Sequence, residues 1–523
     1  MGRLLPILLA LLVLARIALA ATLAPGRDEL AYWYWAWHGP DASYSLTTVG
    51  LLRLSTSLLG DGAFAMRLPT LLAGVAAIGL VVVAARRLGA GRDLAWCAGL
   101  ALAASPWHLY TSGVVHPDVH LTFFALAFAI AALPAPVGSP VGSLAWRRAA
   151  PFAIAAAASL AALSKLPGAL LLPVATWLLF RRSQPGARAA IALLALPIYI
   201  LLRDLDPGIL AGARAFGRFD PDVGFGERTG WTLLEIGLDA GPGLAFAAAL
   251  GAWALGHRAA RAAWPAWIAA GILFLFFCGS FLGGQAKGNW YLPSLALLVP
   301  LGAASLERNG VRKHVAPGAP RDAAFRRATL AGAVLAAAAA PIATNPEPLL
   351  AALAASPAID ATYARRAGAR ESTVAAARTW SGRIREYHRP PAADPRVAQA
   401  FAAGAVAVAS EDYGVAFAQA RALGRHIRVL LPWDPIFARD CGASPNRDED
   451  VVFVSARLAE PPAEWRFCFD ACRPLPAPAG APGGEAGAAA SYLHVVLCQG
   501  WNGPVTLAAA PASRREPAHP GEP

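Results

Sequence analysis

Four widely separated stretches set ionisable side chains beside long apolar runs. GRDELAYWYWAWHG (26–39) places Asp28 and Glu29 directly before Tyr32, Trp33, Tyr34, Trp35 and Trp37. SGVVHPDVHLTFFALA (112–127) carries Asp118, LAALSKLPGALLLP (160–173) carries Lys165, and KGNWYLP (287–293) opens with Lys287; Arg53 and Arg67 lie between the first two. Charges at membrane depth, or at the mouth of a helical bundle, are costly and by default mark a site with a partner. Carboxylates from two segments with cations from others suit attack by a hydroxyl or amine on a carbon bearing a phosphate leaving group. A carboxylate takes the proton and cations receive the phosphate charge. No Walker loop, nucleotide-sugar signature or Ser-His-Asp elbow accompanies these residues, so any donor is expected from the membrane.

The elements that must position these residues are apolar. Of 523 residues only 15% are charged and 56% are hydrophobic, too little charge to cover a soluble protein of this size. Spans are expected near 4–23, 66–85, 94–112, 119–133, 150–163, 166–180, 189–202, 241–256, 264–282, 290–305 and 328–343, about eleven in all. With Arg3 inside, alternation puts the clusters at Arg86–Arg92, Arg147–Arg148, Arg181–Arg188, His257–Arg261 and Arg308–Arg327 on the same side, as the positive-inside rule asks. The same alternation sets Asp28, Glu29, Asp118, Lys165 and Lys287 on the outer face. The net charge of +12 is spread in these short clusters, which reads as topology and not as a nucleic-acid surface. Arg3, the apolar run and Ala18-Leu19-Ala20 imitate a cleavable signal, but Arg16 within the run and the many later spans favour a retained first helix.

Between the first two spans, 29–38 and 45–59 have aromatic and aliphatic residues at helical spacing, broken at His38-Gly39-Pro40. Two short interfacial helices are expected, with the aromatic rings holding the first flat on the outer membrane surface. The spans make up a domain over 1–343. After about residue 344, short β-like runs (405–409, 427–431, 451–455, 493–497) alternate with helical stretches, so a small α/β domain on the outer side is expected over 344–505. A flexible insertion at 474–489 and a disordered tail at 506–523 complete the plan. Cys441, Cys468, Cys472 and Cys498 all fall in that domain, an even number with three possible pairings, and a metal site is the rival for CFDAC.

RDELAYWYWAWHG, the stretch 44–74, SGVVHPDVHLTFFALA and LAALSKLPGALLLP together resemble the membrane-embedded glycosyltransferases of the protein O-mannosyltransferase type. Their bacterial relatives include the aminoarabinose transferase of lipid A and core-sugar transferases of lipopolysaccharide. The resemblance covers roughly 20–310 and, more weakly, ASEDYGVAFAQARALG (409–424). It implies a GT-C-like fold: a polytopic α-helical membrane protein with outer interfacial helices and an extracytoplasmic α/β domain. It also implies a polyprenyl-phosphate sugar donor and a lipid, glycan or protein acceptor at the periplasmic face of the bacterial inner membrane. By position, Asp28 matches the first-loop acid that binds or deprotonates the acceptor, with Glu29 beside it. Asp118 matches the second acid, Lys165 a residue near the lipid-phosphate pocket, and Lys287 lies in a similar outer loop. Where many relatives have His-Pro-Pro, this chain has Ser45-Leu46-Thr47-Thr48.

Lys165, Lys287, Arg53 and Arg67 are the outer cations for a leaving phosphate. Displacement by a base-activated nucleophile inverts the anomeric carbon and needs one carboxylate, leaving a second acid to orient the acceptor or hold a divalent cation. Each residue also has a plain use. Asp28, Glu29 and Asp118 suit helix starts, Lys165 and Lys287 suit snorkelling, Arg67 suits an anchor, and His116 and His120 suit polar loop positions more than metal ligation. The alternatives are a transporter or flippase of lipid-linked sugars, and an O-antigen ligase-like enzyme using Arg203, Arg214, Arg218 and Arg228.

Overall fold

The structure, a computed structural model, describes residues 4–38, 45–133, 140–181, 186–204, 225–255, 268–275, 288–312, 320–344, 394–410, 412–431, 445, 448–455, 460–461, 463–466, 468–476 and 493–502. The chain divides into two units, Met1–Pro25 with His38–Arg385, and Gly26–Trp37 with Glu386–Pro523.

The first unit is helical. Its first helix is α1 (Leu4–Thr22); α2 (Arg27–His38) follows in sequence but belongs, up to Trp37, to the second unit. Then come α3 (Leu46–Leu59), α4 (Ala63–Arg87), α5 (Arg92–Ala103), α6 (Pro106–Gly113), α7 (Pro117–Ala132), α8 (Pro140–Ser164), a 3-10 turn Leu166–Leu170, α9 (Leu171–Arg181) and α10 (Ala187–Asp204). The series closes with α11 (Phe225–Leu255), α12 (Leu292–Arg312) and α13 (Pro320–Thr344).

Proline decides where the apolar runs break. Pro106 and Pro117 start helices, since a missing N–H costs nothing at a first turn, so the run expected as one span at 94–112 becomes α5 and α6. Among the described residues three helices are long and apolar enough to cross a membrane: Leu4–Thr22, Ala63–Arg87 and Ile236–Ala254. The pair α6 and α7, bent by 110°, makes a fourth if taken together. Several of the other expected spans are present as shorter apolar helices, such as Arg148–Ser164 and Leu292–Glu307.

Freed backbone groups find partners on neighbouring helices, as an apolar surround demands. Pro69 inside α4 cannot bond the Ala65 carbonyl, which accepts instead from Ser55 Oγ at 2.6 Å. Arg16, fully buried in α1, donates from Nη2 to Ala103 O at 2.7 Å at the end of α5, from Nε to Ser112 Oγ at 2.8 Å and from Nη1 to Leu12 O at 2.9 Å. α11 and α12 approach through small residues: a Cβ on Gly302 would lie 2.1 Å from Ala247 O, and one on Gly251 2.2 Å from Leu298 O. Large apolar side chains such as Leu4, Ile7, Leu11 and Leu14 stay on the outside, which suits a lipid environment.

The second unit holds α2, α14 (Pro395–Ala402), β1 (Ala407–Ala409), α15 (Tyr413–Leu423), β2 (Arg428–Leu430), β3 (Val451–Ser455), α16 (Ala463–Arg466), β4 (Phe469–Pro474) and β5 (His494–Trp501). The sheet order is β2-β1-β3-β5-β4, parallel through the first three strands and antiparallel thereafter. β3 is buried at every residue, hence its unbroken VVFVS run. Trp465, Phe469 and Trp501 pack edge-on beneath it. A disulfide joins Cys472 to Cys498, directly opposed on β4 and β5. Cys468 lies outside that disulfide, and Cys441 lies outside the described residues.

Candidate functional site

Three sequence-distant segments converge in the first unit. Pro117 starts α7 with His116 as its N-cap, which puts Asp118 in the first turn, where the helix dipole favours a carboxylate. α8 ends at Ser164 and the chain runs extended through Lys165 before the 3-10 turn, so the lysine projects from a joint between helices. Lys165 Nζ lies 2.5 Å from Asp118 Oδ1, with side-chain exposures of 11% and 2%. His116 Nδ1 accepts the Asp118 amide at 3.3 Å and stands 3.6 Å from Asp118 Oδ2. The Trp290 ring centroid lies 5.9 Å from Lys165 Nζ, and Trp107 meets the His116 ring edge-on at 5.4 Å. The result is a buried ammonium–carboxylate pair flanked by an imidazole and two indoles. An arriving phosphate can take the ammonium in place of the carboxylate.

The residues standing in place of His-Pro-Pro have tasks beside this pair. Thr47 Oγ1 donates to Leu160 O on α8, and Thr48 Oγ1 bonds His120 Nδ1 on α7, both at 3.0 Å. His120 is 1% exposed and lies two residues beyond Asp118, so α3 is tied to the helices that carry the pair.

The first-loop acids lie on α2, in the second unit. Glu29 is 3% exposed and its Oε2 accepts the Gly26 amide at 2.8 Å, the reciprocal half of a capping box. Asp28, beside it in the first turn, is half-buried. The aromatic residues that follow are protein-packed: Tyr32, Trp33, Tyr34 and Trp35 are all below 8% exposed, and Tyr34 stacks on Phe417 of α15 at 4.7 Å. The expectation of rings laid on the membrane is corrected for these four, which are buried within the protein, Tyr34 against Phe417 of the second unit.

The expected cations fare differently. Arg67 is fully buried, and its guanidinium donates to the carbonyls of Leu19, Ala20, Leu23 and Ala24 at 3.5, 3.2, 2.7 and 3.0 Å, closing the C-terminal end of α1. Its task in the structure is thus a helix end and differs from the expected phosphate ligand. Arg53 is exposed on α3. Lys287, Arg214 and Arg218 lie outside the described residues. Among the described residues no group of three His, Cys, Asp or Glu is placed to hold a metal ion. Sequence reasoning passed over Trp290 and undervalued His116. The signal for the first was an aromatic residue three positions after Lys287, for the second its place before Pro117 at a helix start.

Residues 48–202 match the family described as dolichyl-phosphate-mannose-protein mannosyltransferase. That segment holds Arg53, Arg67, Asp118 and Lys165; Asp28, Glu29 and Lys287 lie outside it. A comparison with curated protein sequences finds no match. Among solved structures the chain is similar to ArnT from Cupriavidus metallidurans in the apo state, at 15% identity and a TM-score of 0.51, covering 95% of this chain and 98% of that one. The structure of that protein bound to undecaprenyl phosphate matches with a TM-score of 0.57 at 14% identity, covering 95% and 97%. The archaeal oligosaccharyltransferase AglB from Archaeoglobus fulgidus matches at 13% identity and a TM-score of 0.45, covering 85% and 69%. The matched segment and the fold shared with ArnT bear out the resemblance to membrane glycosyltransferases of the GT-C fold.

Proposed function

We propose, for a multi-pass membrane glycosyltransferase of the GT-C fold, that this chain moves a sugar from a polyprenyl-phosphate carrier to a lipid, glycan or protein acceptor. Transfer occurs at the periplasmic face of the inner membrane, with the second unit on that side and about eleven spans in the first. The observation that carries the reading is the convergence of the HPD motif, the LSK motif and Trp290 on one buried ion pair. A solved structure of ArnT contains undecaprenyl phosphate, which supports a donor of that class.

In this mechanism Asp28 accepts the proton of the acceptor hydroxyl or amine, whose freed electron pair forms a bond to the anomeric carbon. The bond from that carbon to the phosphate oxygen breaks on the opposite face, and the polyprenyl phosphate leaves with the electron pair. Lys165 takes up that charge, with Arg53 and Lys287 as further cations. Asp118 holds Lys165 until the phosphate arrives, and Glu29 keeps the first turn of α2 in shape. A divalent cation would need ligands beyond Asp118, whose two oxygens already face Lys165 and His116.

Purified protein in detergent is incubated with radiolabelled polyprenyl-phosphate sugars and a membrane lipid extract as acceptor pool. Wild type transfers label, whereas Asp28→Asn, equally monodisperse, loses at least about a hundredfold, the lower range for removing a general base. Transfer by Asp28→Asn at the wild-type rate would remove the acid from the mechanism.

A further inference from the structure

The second unit does more with α2 than bury it. Among the described residues β2 is an edge strand, and Ser410 N bonds Leu430 O across the β1 side. Val429, one residue earlier, therefore presents its N–H outward, where a strand would normally lack a partner. Tyr34 Oη accepts that N–H at 3.0 Å, while the Tyr34 ring stacks on Phe417. At one end of α2, Arg27 Nη1 lies 3.5 Å from Asp412 Oδ2, and Asp412 also caps α15 through the Gly414 amide at 2.8 Å. At the other end, the Arg425 guanidinium lies 3.6 Å from the centre of the Trp37 ring. Gly414 allows the Arg27 stem to lie close: a Cβ there would come within 2.7 Å of Arg27 Cγ.

Residues 27, 34 and 37 fall on one helical face, and Asp28 projects about 130° away from it. The helix is thus clamped along one side and shows its acid on another. We propose that Tyr34 is a positioning residue, through which the edge of the C-terminal sheet sets the orientation of Asp28 for transfer. This inference rests on the reading of Asp28 as the base. Asp28 lies six residues from Tyr34, about 9 Å along the helix axis, so a tilt of about 6° displaces its carboxylate by about 1 Å. A misplacement of that size costs about a hundredfold in rate. The same contacts would exist if α2 served only to cover the sheet edge, and the split between kcat and KM separates the two.

Tyr34→Phe keeps the ring stack and deletes the acceptor for Val429 N–H; Asp412→Asn weakens the clamp at the other end without enlarging a side chain. Both are assayed with full-length protein for kcat and donor KM, and by hydrogen exchange across α2 and the sheet. The expected result for each variant is faster exchange confined to α2, a kcat about 10- to 100-fold lower and a donor KM within about twofold of wild type. Faster α2 exchange with wild-type kcat overturns the proposal. So does a loss of kcat accompanied by exchange through the whole sheet, which marks a merely structural contact. Asp28→Asn is run alongside: full activity there overturns the base assignment and this inference together. An inactive Asp28→Asn beside fully active Tyr34→Phe and Asp412→Asn overturns the positioning alone.

Discussion

Replacing Lys165 with Met leaves the Asp118 carboxylate inside the first unit with its nearest cation gone. At 2.5 Å the pair's attraction is about 7 kcal/mol for an effective dielectric near 20, and the cost of withdrawing both charges from water cancels most of it. Deleting one partner forfeits the attraction but keeps the desolvation of the other, so Lys165→Met is expected to lose about 3–5 kcal/mol. Asp118→Asn is expected to lose a similar amount. The double variant Asp118→Asn/Lys165→Met removes both charges and is expected within about 1 kcal/mol of wild type, giving a large coupling in a double-mutant cycle. If the loss falls on the unfolding barrier, each single variant inactivates on heating about two to four decades faster than wild type. Fluorescence-detected unfolding rates in detergent measure this, and transfer assays on the same samples test function. The double variant is expected to be stable and inactive, since the cation for the leaving phosphate is absent. A Lys165→Met protein as durable as wild type would refute the buried-pair reasoning, and an active double variant would refute the phosphate role of Lys165.

The remaining predictions concern groups assigned to architecture. Arg67→Leu removes the guanidinium donor from the carbonyls of Ala20, Leu23 and Ala24, while Leu19 O keeps the Leu23 amide, so it is expected to cost several kcal/mol in unfolding assays while donor KM in the surviving fraction stays near wild type; a selective KM rise would restore Arg67 to the phosphate site. Replacing Cys472 and Cys498 with Ser opens a loop closed across a separation of 26 residues, worth about 3–4 kcal/mol in the chain-entropy view. Reductant is expected to lower the unfolding temperature of wild type and leave the Cys472→Ser/Cys498→Ser protein unchanged, as calorimetry would show.

Much of this protein was legible before its coordinates, for a definite reason. Apolar runs, a charge fraction of 15% and arginines clustered between those runs are composition-level consequences of a lipid solvent, which acts on every residue of a helix at once. The helix start at Pro117 and the acids of the first turn of α2 are local, because a missing N–H or an orphan donor needs only its neighbours. The span count was less legible. A hydropathy window averages over Pro106, whereas the backbone cannot, so one apolar run became two helices.

From the sequence alone follow the class of protein, the family segment and a short roster of ionisable residues, since each is set by side-chain chemistry and near-neighbour spacing. Only the tertiary structure decided which of them work together. It joined Asp118 to Lys165 across 47 positions, gave Arg67 to the end of α1, and fastened α2 to the edge of a sheet whose strand β2 begins nearly 400 residues later. Side-chain type says what a group can bond. Desolvation makes such a bond obligatory, and burial is settled only when distant segments pack.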